Sequence, residues 1–273
     1  MGHLSMGRVA LVVHDIDKVG AWYEQAVGLH LVQRDGETAR YGAGDTVLLE
    51  LRRDPGARAR SRREAGLFHT AFLLPDRAAL GQWIMDASAR RTRVDGMADH
   101  LVSEAIYLTD PEGNGVEIYA DRPRSAWTRK GAEVQMATDP LDIPAIVASA
   151  EGRGAWQGAP AGTVIGHVHL QAGAIPEADA FYTGVLGLDL TARYPGASFY
   201  AADGYHHHLA ANIWNSRGAG PRSLPSTGLA EVEIRLDAAR AAAIRDRAVL
   251  APAGNRLVVN DPWNTPISLV VEG

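Results

Sequence analysis

Cysteine is absent from all 273 residues of the chain. Disulfide bonds, a thiol nucleophile and thiolate metal sites are therefore excluded, and a cytoplasmic location is expected. Long apolar runs are also lacking, since no stretch approaches the roughly 20 residues that a membrane-spanning helix needs. The N-terminus lacks the charged-then-apolar pattern of a signal peptide. We therefore expect no membrane partner.

A basic excess is lacking as well. Lys and Arg number 27 against 32 Asp and Glu, which leaves a net charge of −5. This balance provides no drive for counterion release from a phosphate backbone, so no nucleic-acid partner is expected. With 46% hydrophobic and 22% charged residues, the composition is that of a soluble globular protein with one large domain or two ordinary ones.

What the chain does contain is a fourfold repeat. The order strand, helix, strand, strand, strand is predicted from the alternating apolar segments and the turn residues between them. It occurs in four units, which are residues 7–52, 66–121, 163–215 and 228–273.

Two sequence matches show that the units form a duplicated pair. Residues 21–23 (AWY) and 27–29 (VGL) of unit one match 180–182 (AFY) and 186–188 (LGL) of unit three at identical spacing. We therefore expect units one and three to be related in the same way as units two and four.

The second match lies near the ends of units two and four. The DP dipeptide at 110–111 precedes Glu117 by the same spacing as the DP dipeptide at 261–262 precedes Ser268. The duplication predicts a first half over residues 1–121, a second half over 162–273, and a connector over 122–161.

These units, the aromatic helix ending in Gly-Leu, and the DPEGN turn before Glu117 resemble the vicinal oxygen chelate (glyoxalase/bleomycin resistance/dioxygenase) superfamily. The resemblance covers nearly the whole chain. Its two-half arrangement is similar to that of the extradiol, catechol 2,3-type dioxygenases. The resemblance implies an α+β fold in which four βαβββ units form two cup-shaped mixed β-sheet barrels with flanking helices.

In this superfamily, a metal is held by the first strands of two units and the last strand of one. The residues at such positions here are Arg8, His69, His167 and Glu231 on first strands, and Glu50, Glu117 and Ser268 on or near last strands. A guanidinium has no lone pair to give, so Arg8 cannot be a metal ligand and a site built from units one and two lacks one of its three ligands. In units three and four, a serine replaces the carboxylate.

Pairing units two and three is the alternative that keeps a full ligand set. It brings together His69, His167 and Glu117, the two-histidine, one-carboxylate arrangement of non-haem Fe(II) oxygenases, which Mn(II) also accepts. We therefore predict that this pair of units binds Fe(II), and that units one and four form a metal-free cup.

A run of three histidines precedes the segment LAANIW. We expect it in the last strand of unit three, with His206 and His208 facing one way and His207 the other. The run resembles the His-His-x-Leu-Ala segment of extradiol dioxygenases, which implies that His207 is the acid–base histidine. His206 and His208 are expected to support or line the substrate site.

The resemblance also implies that Tyr107 and His100 contact the substrate hydroxyls and take part in catalysis. Three more residues are expected to support the ligands or shape the pocket: His169, Asn212 and Trp214.

The function implied by the resemblance is Fe(II)-dependent extradiol cleavage of a catechol-type aromatic diol by O2, and the family also admits a homodimer. Two alternatives stay open. One is a glyoxalase-type metal-dependent isomerase or transferase, whose sites usually present a fourth protein ligand, typically a second glutamate. The other is a metal-free protein that sequesters drugs or other small molecules. The histidines of unit three favour the dioxygenase.

Overall fold

All four units are present in the computed structural model, which describes residues 3–254 and 256–272. Units one and two consist of β1 (Leu4–Val13), α1 (Ile16–Ala26), β2 (His30–Asp35), β3 (Thr38–Ala43), β4 (Thr46–Arg53), β5 (Gly66–Leu73), α2 (Arg77–Ala89), β6 (Gly96–Asp99), β7 (Ser103–Thr109) and β8 (Gly115–Asp121). Each first strand is followed by one helix and three further strands, as the sequence predicts.

The second half repeats this order after a connector. The connector contains a 3₁₀ turn (Arg124–Ala126), β9 (Arg129–Lys130), β10 (Glu133–Val134) and α3 (Ile143–Ala148). Units three and four consist of β11 (Val164–Gln171), α4 (Ile175–Asp179) continuing as a π-helix (Ala180–Val185), β12 (Asp189–Tyr194), β13 (Ala197–Ala201), β14 (Leu209–Asn212), β15 (Gly228–Leu236), α5 (Ala238–Arg245), β16 (Ala251–Ala253), β17 (Arg256–Asn260) and β18 (Pro266–Val271).

The units pair across the two halves of the chain. One eight-stranded sheet has the order β12-β13-β14-β11-β5-β8-β7-β6, which joins unit three to unit two. The other has the order β16-β17-β18-β15-β1-β4-β3-β2, which joins unit four to unit one. At each junction the two first strands run antiparallel. The α+β fold and the pairing of units two and three are thus confirmed.

Local signals in the sequence explain where the helices begin and end. The Asp15 carboxylate accepts a hydrogen bond from the Lys18 amide at 3.0 Å, and Asp76 caps α2 through the Ala79 amide at 2.8 Å. Gly28 follows α1 with φ +86°, and its amide donates to the Tyr23 carbonyl. A residue without a Cβ adopts this conformation without strain, so the helix ends there.

The apolar core packs against one face of the sheet built from units two and three. Val116 and Ile118 of β8 belong to this core together with Trp83 of α2, whose indole N–H donates to the Ala26 carbonyl at 2.8 Å. Glu117 points to the opposite, concave face, as strand alternation predicts. Among the described residues, no helix is long and apolar enough to cross a membrane.

Candidate metal centre and active-site cavity

Three adjacent strands bring His69, Glu117 and His167 together. Strand β5 lies between β8 and β11, and Ala71 of β5 is the register partner of both Glu117 and His167. The Glu117 Oε2 atom lies 2.9 Å from His69 Nε2 and 3.2 Å from His167 Nε2, and the two Nε2 atoms are 3.3 Å apart. All three side chains are buried.

The DPEGNG turn places Glu117 on its strand. The Asp110 carboxylate accepts hydrogen bonds from the amides of Glu112 at 2.9 Å and Asn114 at 2.8 Å, which folds the turn back on itself. Gly115 then begins β8 opposite His69. A Cβ there would lie 2.1 Å from the Phe68 carbonyl oxygen, so this close strand approach requires glycine.

The same turn is built at the end of unit four. Asp261 accepts from the amides of Trp263 at 2.9 Å and Thr265 at 2.7 Å. The matching spacing of the two DP dipeptides therefore reflects one repeated turn. The position that Glu117 occupies in unit two is held in unit four by Ser268, which cannot supply a carboxylate.

Burial sets the protonation of the cluster. It lowers the pKa of His167 to about 4, although the neighbouring Glu117 carboxylate opposes the change. Burial alone would raise the pKa of Glu117, but the imidazoles of His167 and His69 hold it well below its usual value. At neutral pH the cluster thus presents a neutral His167 imidazole and an ionised carboxylate, the forms in which these groups bind metals.

This donor set fits a divalent metal ion. Three ligand atoms within 4.8 Å of one another face one point, from two imidazoles and one carboxylate. The other ring nitrogen of His167, Nδ1, is buried without a hydrogen-bond partner, so no contact draws the ring away from that point. Two nitrogens and one carboxylate oxygen on one face suit Fe(II) and related ions, with further coordination positions left open.

A cavity of about 550 Å³ opens above the cluster. It is large enough for a small aromatic ligand. Its lining includes the three cluster residues together with His100, Tyr107, His169, His207 and Trp214 from the sequence prediction. His206, His208 and Asn212 are buried but do not line the cavity.

Tyr107 and His100 form a hydrogen-bonded pair in the cavity wall. His100 Nδ1 lies 2.6 Å from the Ala137 carbonyl, which can only accept, so this nitrogen carries the hydrogen. In a neutral His100, Nε2 is then the acceptor, so the Tyr107 hydroxyl, which lies 2.6 Å away, donates to it. Burial and the nearby Glu117 raise the pKa of Tyr107 well above its usual value, which keeps the hydroxyl protonated. Its oxygen lone pairs remain available to a ligand.

The histidine run does not lie in a strand, and this prediction was wrong. Strand β14 begins at Leu209, and His206 to His208 lie in the loop that connects it to β13. His207 lines the cavity with its ring centre 4.1 Å from that of His167. The loop forms because β13 ends at Ala201, before a turn containing Gly204 with φ +69°.

The two flanking histidines point elsewhere. His206 Nε2 lies 2.9 Å from the Asp121 carboxylate. His208 Nδ1 accepts a hydrogen bond from the Ala202 amide at 3.3 Å. Both rings therefore act on the loop that carries His207, and contact with a ligand in the cavity is left to His207.

One side of the cavity is lined by His169 and Trp214, and Asn212 lies behind His169. The Asn212 side-chain amide lies 3.0 Å from His169 Nε2, so Asn212 holds the ring from behind. Trp214 is 46% exposed and packs edge-on against Phe68 at 5.5 Å between ring centres. An aromatic wall with one open face results, next to the metal cluster. The catalytic and binding roles of these residues remain predictions.

Sequence reasoning missed several residues of the cavity. Phe68 and Phe199 supply two of its aromatic surfaces. The connector segment 133–138 also lines it, although we predicted only a junction between halves there. Phe68 neighbours His69 and could have been noted for that reason. No pattern in the connector signals its place, because its position depends on contacts such as that between His100 and Ala137.

The corresponding position in the other sheet holds ion pairs. Arg8 Nε lies 3.5 Å from Glu50 Oε2, and Arg8 Nη1 lies 3.3 Å from Glu231 Oε1. Arg40 and Arg52 also pair with Glu50, at 2.8 Å and 2.7 Å. Arg8 is thus not part of the metal cluster, and in this sheet arginines supply the positive charge beside the carboxylates.

Comparison with known proteins agrees with this architecture. A model of the Glyoxalase/Bleomycin resistance protein/Dioxygenase superfamily matches residues 5–118 and 164–262. The chain therefore belongs to this superfamily. A catechol-2,3-dioxygenase of Bacillus subtilis (strain 168) is 39% identical over 229 residues, which cover 82% of this chain and 80% of the relative. This relationship makes the protein a dioxygenase-like oxidoreductase.

Two solved structures share the fold at low sequence identity. A putative dioxygenase from Bacillus subtilis subsp. subtilis str. 168 superposes with a TM-score of 0.63 and 11% identity, over 98% of this chain and 84% of that one. Glyoxalase I from Zea mays superposes with a TM-score of 0.58 and 16% identity, over 99% and 93%. Because both identities are low, these similarities concern the fold.

Proposed function

We propose that the protein is an extradiol dioxygenase that uses Fe(II) and O2 to open a catechol-type ring beside its two hydroxyl groups. The observation that carries this proposal is the convergence of His69, His167 and Glu117 beneath the cavity. The 39% identity to a catechol-2,3-dioxygenase supports it. Mn(II) would accept the same donors.

The three ligands would leave the ion with a residual positive charge, since two are neutral and one is a monoanion. When bound, such an ion lowers the pKa of a coordinated hydroxyl and keeps positions open for small ligands. The chain's own contribution is to hold these donors on three paired strands, where each side chain is buried and its position is restricted.

Tyr107 and His100 would hold one substrate hydroxyl. The Tyr107 hydroxyl donates to His100, so its oxygen can accept a hydrogen bond from the diol. The ring centres of Tyr107 and His69 are 5.5 Å apart, which places this acceptor beside the metal cluster. A diol bound to the cluster would therefore meet Tyr107 with one of its oxygens.

His207 would exchange a proton with the reacting substrate. Burial, followed by the neighbouring histidines, lowers the pKa of His207 well below its usual value, so the ring is neutral at neutral pH. A neutral imidazole has one nitrogen that accepts a proton and one that donates a hydrogen bond. The position of His207 against His167 places it within the same part of the cavity.

The number of cluster ligands favours this reaction over a glyoxalase-type isomerisation. Among the described residues, the candidate metal group contains three side chains, whereas glyoxalase-type sites usually present a fourth ligand. The aromatic wall formed by Phe68, Phe199 and Trp214 suits a planar aromatic substrate.

Oxygen consumption tests the proposal. The protein is loaded with Fe(II) without oxygen, mixed with a panel of substituted catechols, and followed by an oxygen electrode and by the absorbance of the ring-opened semialdehyde. We expect one O2 consumed for each catechol cleaved. Iron binding without oxygen uptake on any catechol would favour the isomerase, and failure to bind metal would favour a small-molecule binding protein; either result overturns the proposal.

A further inference from the structure

A chain of hydrogen bonds leads from His207 in the cavity to Asp121 near the surface. His207 Nδ1 lies 2.8 Å from His206 Nδ1. His206 Nε2 lies 2.9 Å from Asp121 Oδ1. The Asp121 side chain is 24% exposed, whereas the His206 side chain has no exposed surface. The outer end of the chain is therefore a carboxylate in reach of water, and its inner end is the cavity histidine.

Neighbouring side chains fix the positions of His206 and Asp121 in this hydrogen-bond chain. The His206 ring packs between Tyr205, with ring centres 4.1 Å apart, and Trp127, at 5.2 Å. The second carboxylate oxygen of Asp121 accepts from the Tyr205 hydroxyl at 2.9 Å. Asp121 follows Glu117 by four residues on β8 and so points to the same side of the strand.

The donor and acceptor properties of these groups give the hydrogen-bond chain one direction. A carboxylate only accepts hydrogen bonds, so His206 Nε2 must carry the hydrogen that faces Asp121. In a neutral His206, Nδ1 is then the acceptor, and His207 Nδ1 must donate to it. With Nδ1 committed to His206, Nε2 is the ring nitrogen of His207 left for the cavity, and it presents a lone pair.

From this geometry we infer that Asp121 is a positioning residue that selects, through His206, the tautomer and orientation of His207. The inference rests on the proposed function for the role of His207 in the reaction. A His207 with a lone pair at Nε2 accepts a proton or hydrogen bond from a substrate. With the opposite tautomer it would present an N–H there and could not begin as the acceptor.

Asp121→Asn is the test variant because it keeps the shape and changes only the acceptors. An amide has one oxygen and one NH2 group in place of the two carboxylate oxygens, so it cannot accept both at the position that faces Tyr205 and at the position that faces His206. We expect the hydrogen bonds from His207 through His206 to residue 121 to lose their single donor-to-acceptor direction. Asp121→Glu restores a carboxylate, and Asp45→Asn makes the same chemical change at an exposed turn of the other sheet.

The first readout needs no activity. Long-range ¹H–¹⁵N spectra of the metal-free full chain labelled with ¹⁵N-histidine report which nitrogen of each ring carries hydrogen, and His207→Gln identifies the His207 signals. We expect hydrogen on Nδ1 of His207 in the native protein and in Asp45→Asn. In Asp121→Asn we expect a mixture or the Nε2–H form, with partial return of the Nδ1–H form in Asp121→Glu.

The second readout is turnover of the iron-loaded enzyme. We expect Asp121→Asn to lower kcat about 10- to 100-fold, the range typical of residues that orient groups in a site, while KM changes less than about threefold. Equal iron content and circular dichroism would show that the fold and metal centre are intact. Asp45→Asn should match the native enzyme.

Two results would overturn the inference. One is an Nε2–H form of His207 in the native protein. The other is an Asp121→Asn variant with an unchanged His207 tautomer. If no catechol is cleaved by any form, the proposed function fails while the tautomer measurement still decides the role of Asp121. If catechol is cleaved and the tautomer does not respond, only the inference about Asp121 fails.

Discussion

Arg8 and His69 occupy equivalent positions in the two sheets. Each lies two residues before an alanine that is the register partner of a glutamate: Ala10 pairs with Glu50, and Ala71 pairs with Glu117. A carboxylate is therefore present at the same place in both sheets. Arg8 has no lone pair and is itself a cation, so in its sheet the carboxylate forms ion pairs. In the other sheet, His69 and Glu117 both have lone pairs that can bind a metal ion.

The same substitution should change metal binding at Glu117 and leave it unchanged at Glu50. Glu117→Gln removes the anionic ligand, and we expect it to abolish stoichiometric metal binding and turnover. Glu50→Gln removes the equivalent carboxylate from the ion-paired sheet, so the metal content should stay near one per chain. Metal analysis of both purified variants checks this. Equal metal loss in the two variants would contradict the assignment of the centre to Glu117.

Arg8 should matter for stability. Its guanidinium lies among three mostly buried carboxylates, those of Glu50, Glu231 and Glu233. Arg8→Gln leaves these negative charges with fewer partners, although other arginines remain. We expect the free energy of unfolding to fall by about 2 kcal/mol, measured by urea denaturation of the metal-free protein. The metal affinity should not change.

Arg34→Gln is the matched control for this experiment. Arg34 pairs with Asp17 at 2.7 Å on the exposed surface of the same sheet. Solvent screens such a pair, so little change in stability is expected. An Arg8→Gln variant as stable as Arg34→Gln would show that the buried carboxylates do not need the Arg8 cation.

His208 should make stability depend on pH. Burial lowers its pKa to about 3 from the ordinary 6.5. Below pH 6.5 the unfolded chain binds a proton that the folded chain does not, so stability falls as the pH falls. This one group should cost about 2 kcal/mol between pH 7 and pH 5.

His208→Asn tests this dependence, since the amide oxygen can replace Nδ1 as the acceptor for the Ala202 amide. Urea unfolding of the metal-free proteins at pH 7 and pH 5 should show a smaller loss in the variant. His30→Asn, on the exposed strand β2, should keep the native slope. An equal slope in all three proteins would contradict the burial of a neutral His208.

Trp214 should contribute to substrate binding. Its half-exposed indole faces the cavity and packs against Phe68 and His169. We expect Trp214→Ala to raise KM about 2- to 10-fold, the value of one aromatic contact, with a smaller effect on kcat. Steady-state kinetics with the preferred catechol checks this. Trp214→Phe keeps a ring and should lie near the native KM; a similar KM in all three would remove Trp214 from the binding wall.

Much of the fold could be read from local patterns. Alternating apolar residues mark the strands, Asp15 and Asp76 cap helices by their own side chains, and the DP turns recur at one spacing. These signals depend on neighbours along the chain, so they are visible without knowledge of the tertiary structure. The pairing of units two and three also followed, because it alone preserves three groups able to bind a metal.

The histidine loop shows where local reasoning fails. Three consecutive residues before an apolar run are compatible with a strand or with the loop leading into it. The decision depends on where β13 and β14 stop pairing and on the contacts of His206 with Asp121. The partner of His206 is 85 residues away in sequence, and no periodic pattern signals such a contact.

The sequence by itself determined the four units and their duplication, because these depend on residue type and spacing. The three candidate ligands followed once the resemblance to the superfamily gave the ligand-bearing positions. Only the tertiary structure decided which histidine of the run reaches the cavity, that the connector lines the same cavity, and that Asp121 stands behind His207. These features arise from side chains of distant segments meeting across β-strands. Such contacts depend on sheet register and loop path, which local sequence does not encode.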